Sequence, residues 1–177
     1  MDILTMFNGV AAACNAIYAT GRVLNLAGVE ITVMKKNEQI EDDTVIAEEV
    51  KDDVVIIIDF NQTSIVESVE RFLTAKRIDS TTFVCKNPNV NRILDVDDRD
   101  QWSNAVEGVY KFINGIEKGK RMHIFINAPV ALSFAIGYAL RPNYAPYVYH
   151  YNNRRDGHAD SELYSRVLHV NDNLRGY

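Results

Sequence analysis

Residues 53–60 read DVVIIIDF. Val54 to Ile58 form an unbroken aliphatic, β-branched run. Side chains alternate between the two faces of a strand, so this run needs apolar neighbours above and below it. A parallel sheet covered by helices on both faces supplies them, whereas a sheet with one wet face does not.

The flanking sequence agrees. NQTS follows as a polar loop, and residues 64–77, SIVESVERFLTAKR, have helical spacing. Ile65, Val69, Phe72 and Lys76 share one side of that helix, with Val66 and Leu73 beside them. Ser64 and Glu67 are spaced as a capping box. TTFVCK, residues 81–86, is a second strand and completes a strand–helix–strand unit, whose crossover is expected to be right-handed. A turn-rich connector, 87–100, leads to a helix from about Arg99 to Lys118. Trp102, Ala105, Val106, Val109, Ile113 and Ile116 form its apolar stripe, and Gly119 is its expected stop. Strand 122–127, an Ala128-Pro129 turn, helix 130–140 and strand 145–151 make a second unit. Upstream, the pattern predicts a helix over 2–26 stopped at Gly28, a strand over 29–35 and an acidic solvated stretch over 36–53. The tail from 152 to 177 is polar, with an apolar patch from Leu163 to Val170. The expected fold is α/β: two fused Rossmann-like βαβ half-units with mostly parallel sheets. One domain spans 1–177, its halves meeting near residues 95 and 96.

Composition narrows the function. The chain has 177 residues, 47% of them hydrophobic and 24% charged, which is ordinary for a globular protein. A net charge of −5 argues against general nucleic-acid binding, which needs a basic face. Its two cysteines, Cys14 and Cys85, make no disulfide framework and suit a reducing cytoplasm. The apolar stretch 3–19 has no Lys or Arg before it, and Asn8 and Asn15 interrupt it. It therefore reads as a buried or interfacial helix, with no membrane span expected.

No GxGxxG follows a strand, and there is no Walker A sequence, CxxC or HExxH. Neither a resident cofactor nor a metal is expected. His123 alternates with apolar residues on a strand and reads as structural, whereas His150 stands near a strand end. Ser133 lies inside a helix, where a hydroxyl back-bonds to its own turn. Open parallel sheets bind ligands beyond the carboxyl ends of their strands. Asn127, Ala128 and Pro129 lie there, where a helix N-terminus offers main-chain N–H groups and a favourable dipole to an anion. Asp59, which ends a strand and suits a loop or a ligand hydroxyl, lies there too, with Asn61, Gln62, Thr63 and Ser64 after it. Lys86, Arg154 and Arg155 could neutralise phosphate, and Phe134, Tyr149 and Tyr151 could stack on bases.

HIFINAPVALSFAIGYALRPNYAPYVYHYNN resembles the C-terminal signature of the SAVED domain, the sensor module of bacterial CBASS anti-phage defence. VVIIIDFNQTSIVESVERFLTAKR resembles the matching element of the family's N-terminal half. The resemblance covers roughly residues 25–155. It implies two CARF-like halves that bind a cyclic oligonucleotide second messenger, with binding driving oligomerisation and activating an effector. Carried over by motif, Asn127, Ala128 and Pro129 would line one half of the pocket and Asp59, Asn61, Gln62 and Thr63 the other. Tyr151 and Asn152 would form the rim.

The resemblance leaves no room for a fused effector, so a separate effector subunit is the expected partner. Three alternatives stay open: a sponge for the messenger, a ring-nuclease-like enzyme using His150 or Asp59 beside Lys86, and an interaction subunit that needs no ligand.

Overall fold

The computed structural model describes residues 23–34, 52–88, 94–116, 119–140, 146–152 and 159–169. Its strands are β1 (Leu24–Leu26), β2 (Val29–Met34), β3 (Asp53–Asp59), β4 (Ser80–Lys86), β5 (Arg121–Asn127), β6 (Tyr147–Tyr151) and β7 (Tyr164–His169). Its helices are α1 (Val66–Lys76), α2 (Arg99–Asn114) and α3 (Val130–Leu140), and a 3-10 turn covers Asp160–Glu162.

All seven strands join one sheet, in the order β1-β2-β4-β3-β5-β6-β7. The centre, β4-β3-β5-β6, is parallel, and antiparallel strands finish both ends. The two βαβ units therefore share a single sheet. β3 is its middle strand, and Val54 to Ile58 are fully buried. Val54, Ile56 and Ile58 pack with Ala105, Val109, Phe112 and Ile113 of α2 and Leu132 and Ile136 of α3. Val55 and Ile57 pack on the other face with Val69, Phe72 and Leu73 of α1. This two-sided burial is why the run shows no polar alternation, and each buried side chain contributes about 1.5–3 kcal/mol.

The connections fix the crevice. From β3 the chain crosses through α1 to β4 on one side, while from β5 it crosses through α3 to β6 on the other. Right-handed crossovers in opposite directions place their helices on opposite faces, as α1 and α3 are found. Strand order reverses between β3 and β5, so their carboxyl ends flank a topological switch point.

Four expectations change. Residues 24–26 are a strand, and Gly28 does not stop a helix. Ala27 and Gly28, at φ 49° and 78°, form a tight turn between β1 and β2, the positive-φ pair that a hairpin twist favours. The rest of the expected helix, 2–22, lies outside the described residues, as do Cys14 and most of the acidic stretch. α2 ends at Asn114 with Gly115 as its C-cap, a turn earlier than Gly119. The Ser64–Glu67 capping box does not form: the N-cap is Ile65, without a side-chain cap. Ile65 is already near-helical, so Ser64 stands one place too early, and its hydroxyl goes to Asp59 at 2.6 Å. The apolar patch after Leu163 becomes β7, paired antiparallel to β6.

Among the described residues no helix is long and apolar enough to cross a membrane. Cys85 is buried and not in a disulfide.

Candidate functional site

Asp59 ends β3, Asn127 ends β5, and the two are register partners. Asp59 is fully buried. Asn127 Nδ2 donates to Asp59 Oδ1 and to the Thr63 carbonyl, each at 2.7 Å. Its Oδ1 accepts from Asn61 Nδ2 at 2.8 Å. Its main-chain carbonyl accepts from the Phe60 N–H at 2.8 Å. Ser64 Oγ donates to Asp59 Oδ2 at 2.6 Å. One amide thus ties the β3–α1 loop to the start of the β5–α3 turn. Only a carboxamide fits this role, because the position needs two donors and an acceptor at once.

Ala128 and Pro129 lead from this cluster into α3. The first helical bond runs from Ser133 N–H to the Pro129 carbonyl at 3.0 Å. Pro129 therefore occupies the N-cap position. The N–H groups of Val130, Ala131 and Leu132 precede that bond and have no partner within the helix. No acidic residue occupies the first turn of α3. Ser133 Oγ back-bonds to the Pro129 carbonyl at 3.2 Å, as its mid-helix position predicts. Main-chain donors and the positive end of the helix dipole thus stand beside the switch-point crevice, where an anion is stabilised.

The other sequence candidates divide. Gln62 and Thr63 are exposed on the loop between β3 and α1. Lys86 is the register partner of Asp59 on β4, but its ammonium pairs with Glu30 at 2.8 Å. Phe134 is 76% exposed on the outer side of α3, away from the sheet. Tyr151, at the end of β6, packs edge-on against Tyr164 at 5.3 Å. Asn152 Nδ2 donates to the Glu162 carbonyl at 2.7 Å and to Ser165 Oγ at 2.8 Å, joining the end of β6 to β7. Arg154 and Arg155 lie outside the described residues. Tyr149 is no free platform: it stacks on Phe125 at 4.4 Å.

A second polar cluster occupies the other half of β5. His123 Nδ1 and the Tyr149 hydroxyl are 2.9 Å apart. His123 Nε2 is buried without a hydrogen bond and lies 3.8 Å from Asp53 Oδ1. Burial holds this imidazole below the ordinary histidine range, with Asp53 opposing the shift and Arg121 adding to it. Burial also raises the phenols of Tyr149 and Tyr164. Among the described residues no group of His, Cys, Asp or Glu could hold a metal ion.

Sequence reasoning missed the bond between Tyr164 and Ser68, at 2.7 Å, which seals β7 onto α1. A strand inside a mostly polar tail gives little signal. It also missed Gly108, whose missing Cβ lets α2 approach Leu26 and Val29.

Sheet order, crossovers and crevice define a doubly wound α/β domain with a polar switch point. Residues 30–168 match the family model SAVED, described as "SMODS-associated and fused to various effectors sensor domain". The chain belongs to the SAVED family of sensor domains. Comparison with curated proteins gives no match. Among solved structures the chain is similar to XC6422 from Xanthomonas campestris, described as an a/b serine hydrolase without lid. Identity is 13% and the TM-score 0.42, over 68% of this chain and 57% of that one.

Proposed function

We propose that the chain binds a cyclic oligonucleotide second messenger at the crevice between β3 and β5 and acts by binding rather than by catalysis. Ala128, Pro129 and the free N–H groups of α3 receive phosphate, while Asn61, Gln62 and Thr63 face the ligand from the other arm. Asp59 and Asn127 hold the two arms in register. Tyr151 and Asn152 border the crevice, Phe134 and Lys86 contribute from further out, and Arg154 serves as a further phosphate partner. Binding drives oligomerisation and passes the signal to an effector, in the setting of anti-phage defence in the cytoplasm.

The observation that carries this reading is the Asn127 amide, which welds two loops at the switch point and leaves main-chain donors beside them. Family membership supplies the ligand class.

A thermal-shift series with cyclic di-, tri- and tetranucleotides, each beside its linear form, tests it. At a hundredfold excess over Kd, a ligand adds about 2.7 kcal/mol to the folded state. A shift with one cyclic species and none with its linear form is expected. No shift with any cyclic species overturns the reading, and chromatographic appearance of linear product overturns its non-catalytic part.

A further inference from the structure

Val130, Phe134 and Tyr138 are 86%, 76% and 73% exposed and follow one another at four-residue spacing on α3. At about 3.6 residues per turn that spacing sets them in one row. Ala131 and Gly137 are exposed beside the row, and Leu132 and Ile136 are buried on the opposite side of the helix. VALSFAIGYAL, the whole of α3, contains no charged residue. A helix that is apolar all round is ordinarily covered all round, and a continuous apolar patch on a surface marks a contact.

Two further observations say what covers it. The chain carries a net charge of −5, so two copies repel one another unless they meet on a face without charge, and this face has none. Gly137 has no explanation within its own chain. A Cβ there would meet no atom of the described residues within 4 Å, and glycine weakens a helix interior. A helix from outside, approaching closely, gives this glycine a purpose.

We propose that the outer face of α3 docks a second copy of the chain, the two helices running antiparallel about a two-fold axis at Phe134. In that arrangement Phe134 meets its own copy. The turn of Val130 and Ala131 lies against the turn of Gly137 and Tyr138 in the other chain. Val130 then faces glycine, and Tyr138 faces alanine, a larger side chain against a smaller one each time. An isologous contact requires a surface that is its own complement, which this row supplies. A partner of another kind requires no such match within one helix. The paired Phe134 rings add an aromatic contact at the centre. The face is one helix wide, smaller than the roughly 800 Å² per partner of a standard interface, so the dimer is weak and concentration-dependent. Phe134 is open to a bound base only in the single chain.

Sedimentation velocity of the full chain from about 10 μM to 1 mM, without nucleotide, tests this. A monomer–dimer equilibrium is expected within that range. Phe134→Asp sets two carboxylates together at the axis, and Gly137→Leu fills the space that Val130 needs. Both positions are exposed, so each variant keeps its fold by circular dichroism. Each is expected to weaken the dimer by at least about tenfold. A wild-type chain that stays monomeric throughout overturns the proposal and leaves the face to the apolar residues 3–19 or to another protein. A dimer that both folded variants preserve overturns it as well, because the copies then meet elsewhere. The contact needs no messenger, so either outcome stands apart from the reading of the crevice.

Discussion

Asn127 Nδ2 lies 2.7 Å from Asp59 Oδ1, and these two residues end adjacent parallel strands in direct register. The contact joins a fully buried carboxylate to an amide that also holds Asn61 and the Thr63 carbonyl. Removing the amide leaves a buried acceptor without that donor. Asn127→Ala is therefore expected to cost about 1–3 kcal/mol in urea unfolding. Asn127→Asp is expected to cost more, since it sets two carboxylates side by side. A double-mutant cycle with Asp59→Ala should give a coupling of about 0.5–3 kcal/mol. Additive effects would show that the two residues act independently.

Gly108 faces the β1–β2 hairpin. A Cβ there would collide with the Leu26 carbonyl oxygen and lie 2.6 Å from Val29 Cγ2. Backbone on one side and a buried valine on the other leave no room to yield. Gly108→Ala is expected to destabilise by about 1–3 kcal/mol despite alanine's better helix propensity. Calorimetric melting checks this; a raised Tm would mean that the hairpin moves aside at little cost.

His123 sets an acid limb of stability. Its folded pKa lies below the unfolded value of about 6.5 because burial disfavours the charged ring. The unfolded chain then binds more protons between the folded pKa and the unfolded one. Stability from this group is present in full above about pH 6.5 and is lost as pH falls through the folded pKa, by at most about 1.4 kcal/mol per pH unit. His123→Gln should flatten the slope of unfolding free energy between about pH 6.5 and 5, above the main carboxylate range. An unchanged slope would remove His123 from the account.

Phe134 separates binding from folding. Its ring is 76% exposed on α3, so Phe134→Ala should change stability by less than about 0.5 kcal/mol. If the ring stacks on a bound base, the same variant weakens messenger binding by about 1–3 kcal/mol. Unchanged affinity would place Phe134 outside the messenger site and leave the stripe it forms with Val130 and Tyr138 to another role.

Much of the architecture was legible because the core strands are extreme. Val54 to Ile58 admit one environment, and their partners at 81–86 and 122–127 repeat the pattern. Ends and edges were less legible. Leu24 to Leu26 gave a helical reading because apolar residues precede them, and Ala27 rarely marks a positive-φ turn. Ser64 matched a capping pattern, but its hydroxyl donates to the buried Asp59 carboxylate and its oxygen accepts from the Val66 N–H, at the helix start, in place of the expected box with Glu67. β7 hid in a polar tail because its pairing with β6 is set by the sheet and not by any alternation in the tail's own sequence. At the crevice, residue identity pointed to Asp59, Asn61, Thr63 and Asn127, while their mutual bonding depends on β3–β5 register. Lys86 looked available until β2, paired antiparallel beside β4, brought Glu30 next to it.

The reversal of strand order has a mechanical corollary. The loop of Gln62 and Thr63 opens the helix on one face, and the turn of Ala128 and Pro129 opens the helix on the other. A molecule that touches both arms therefore has a lever on each surface of the domain. The two helices that such a molecule would meet pack on opposite sides of the sheet, α1 on one and α3 on the other.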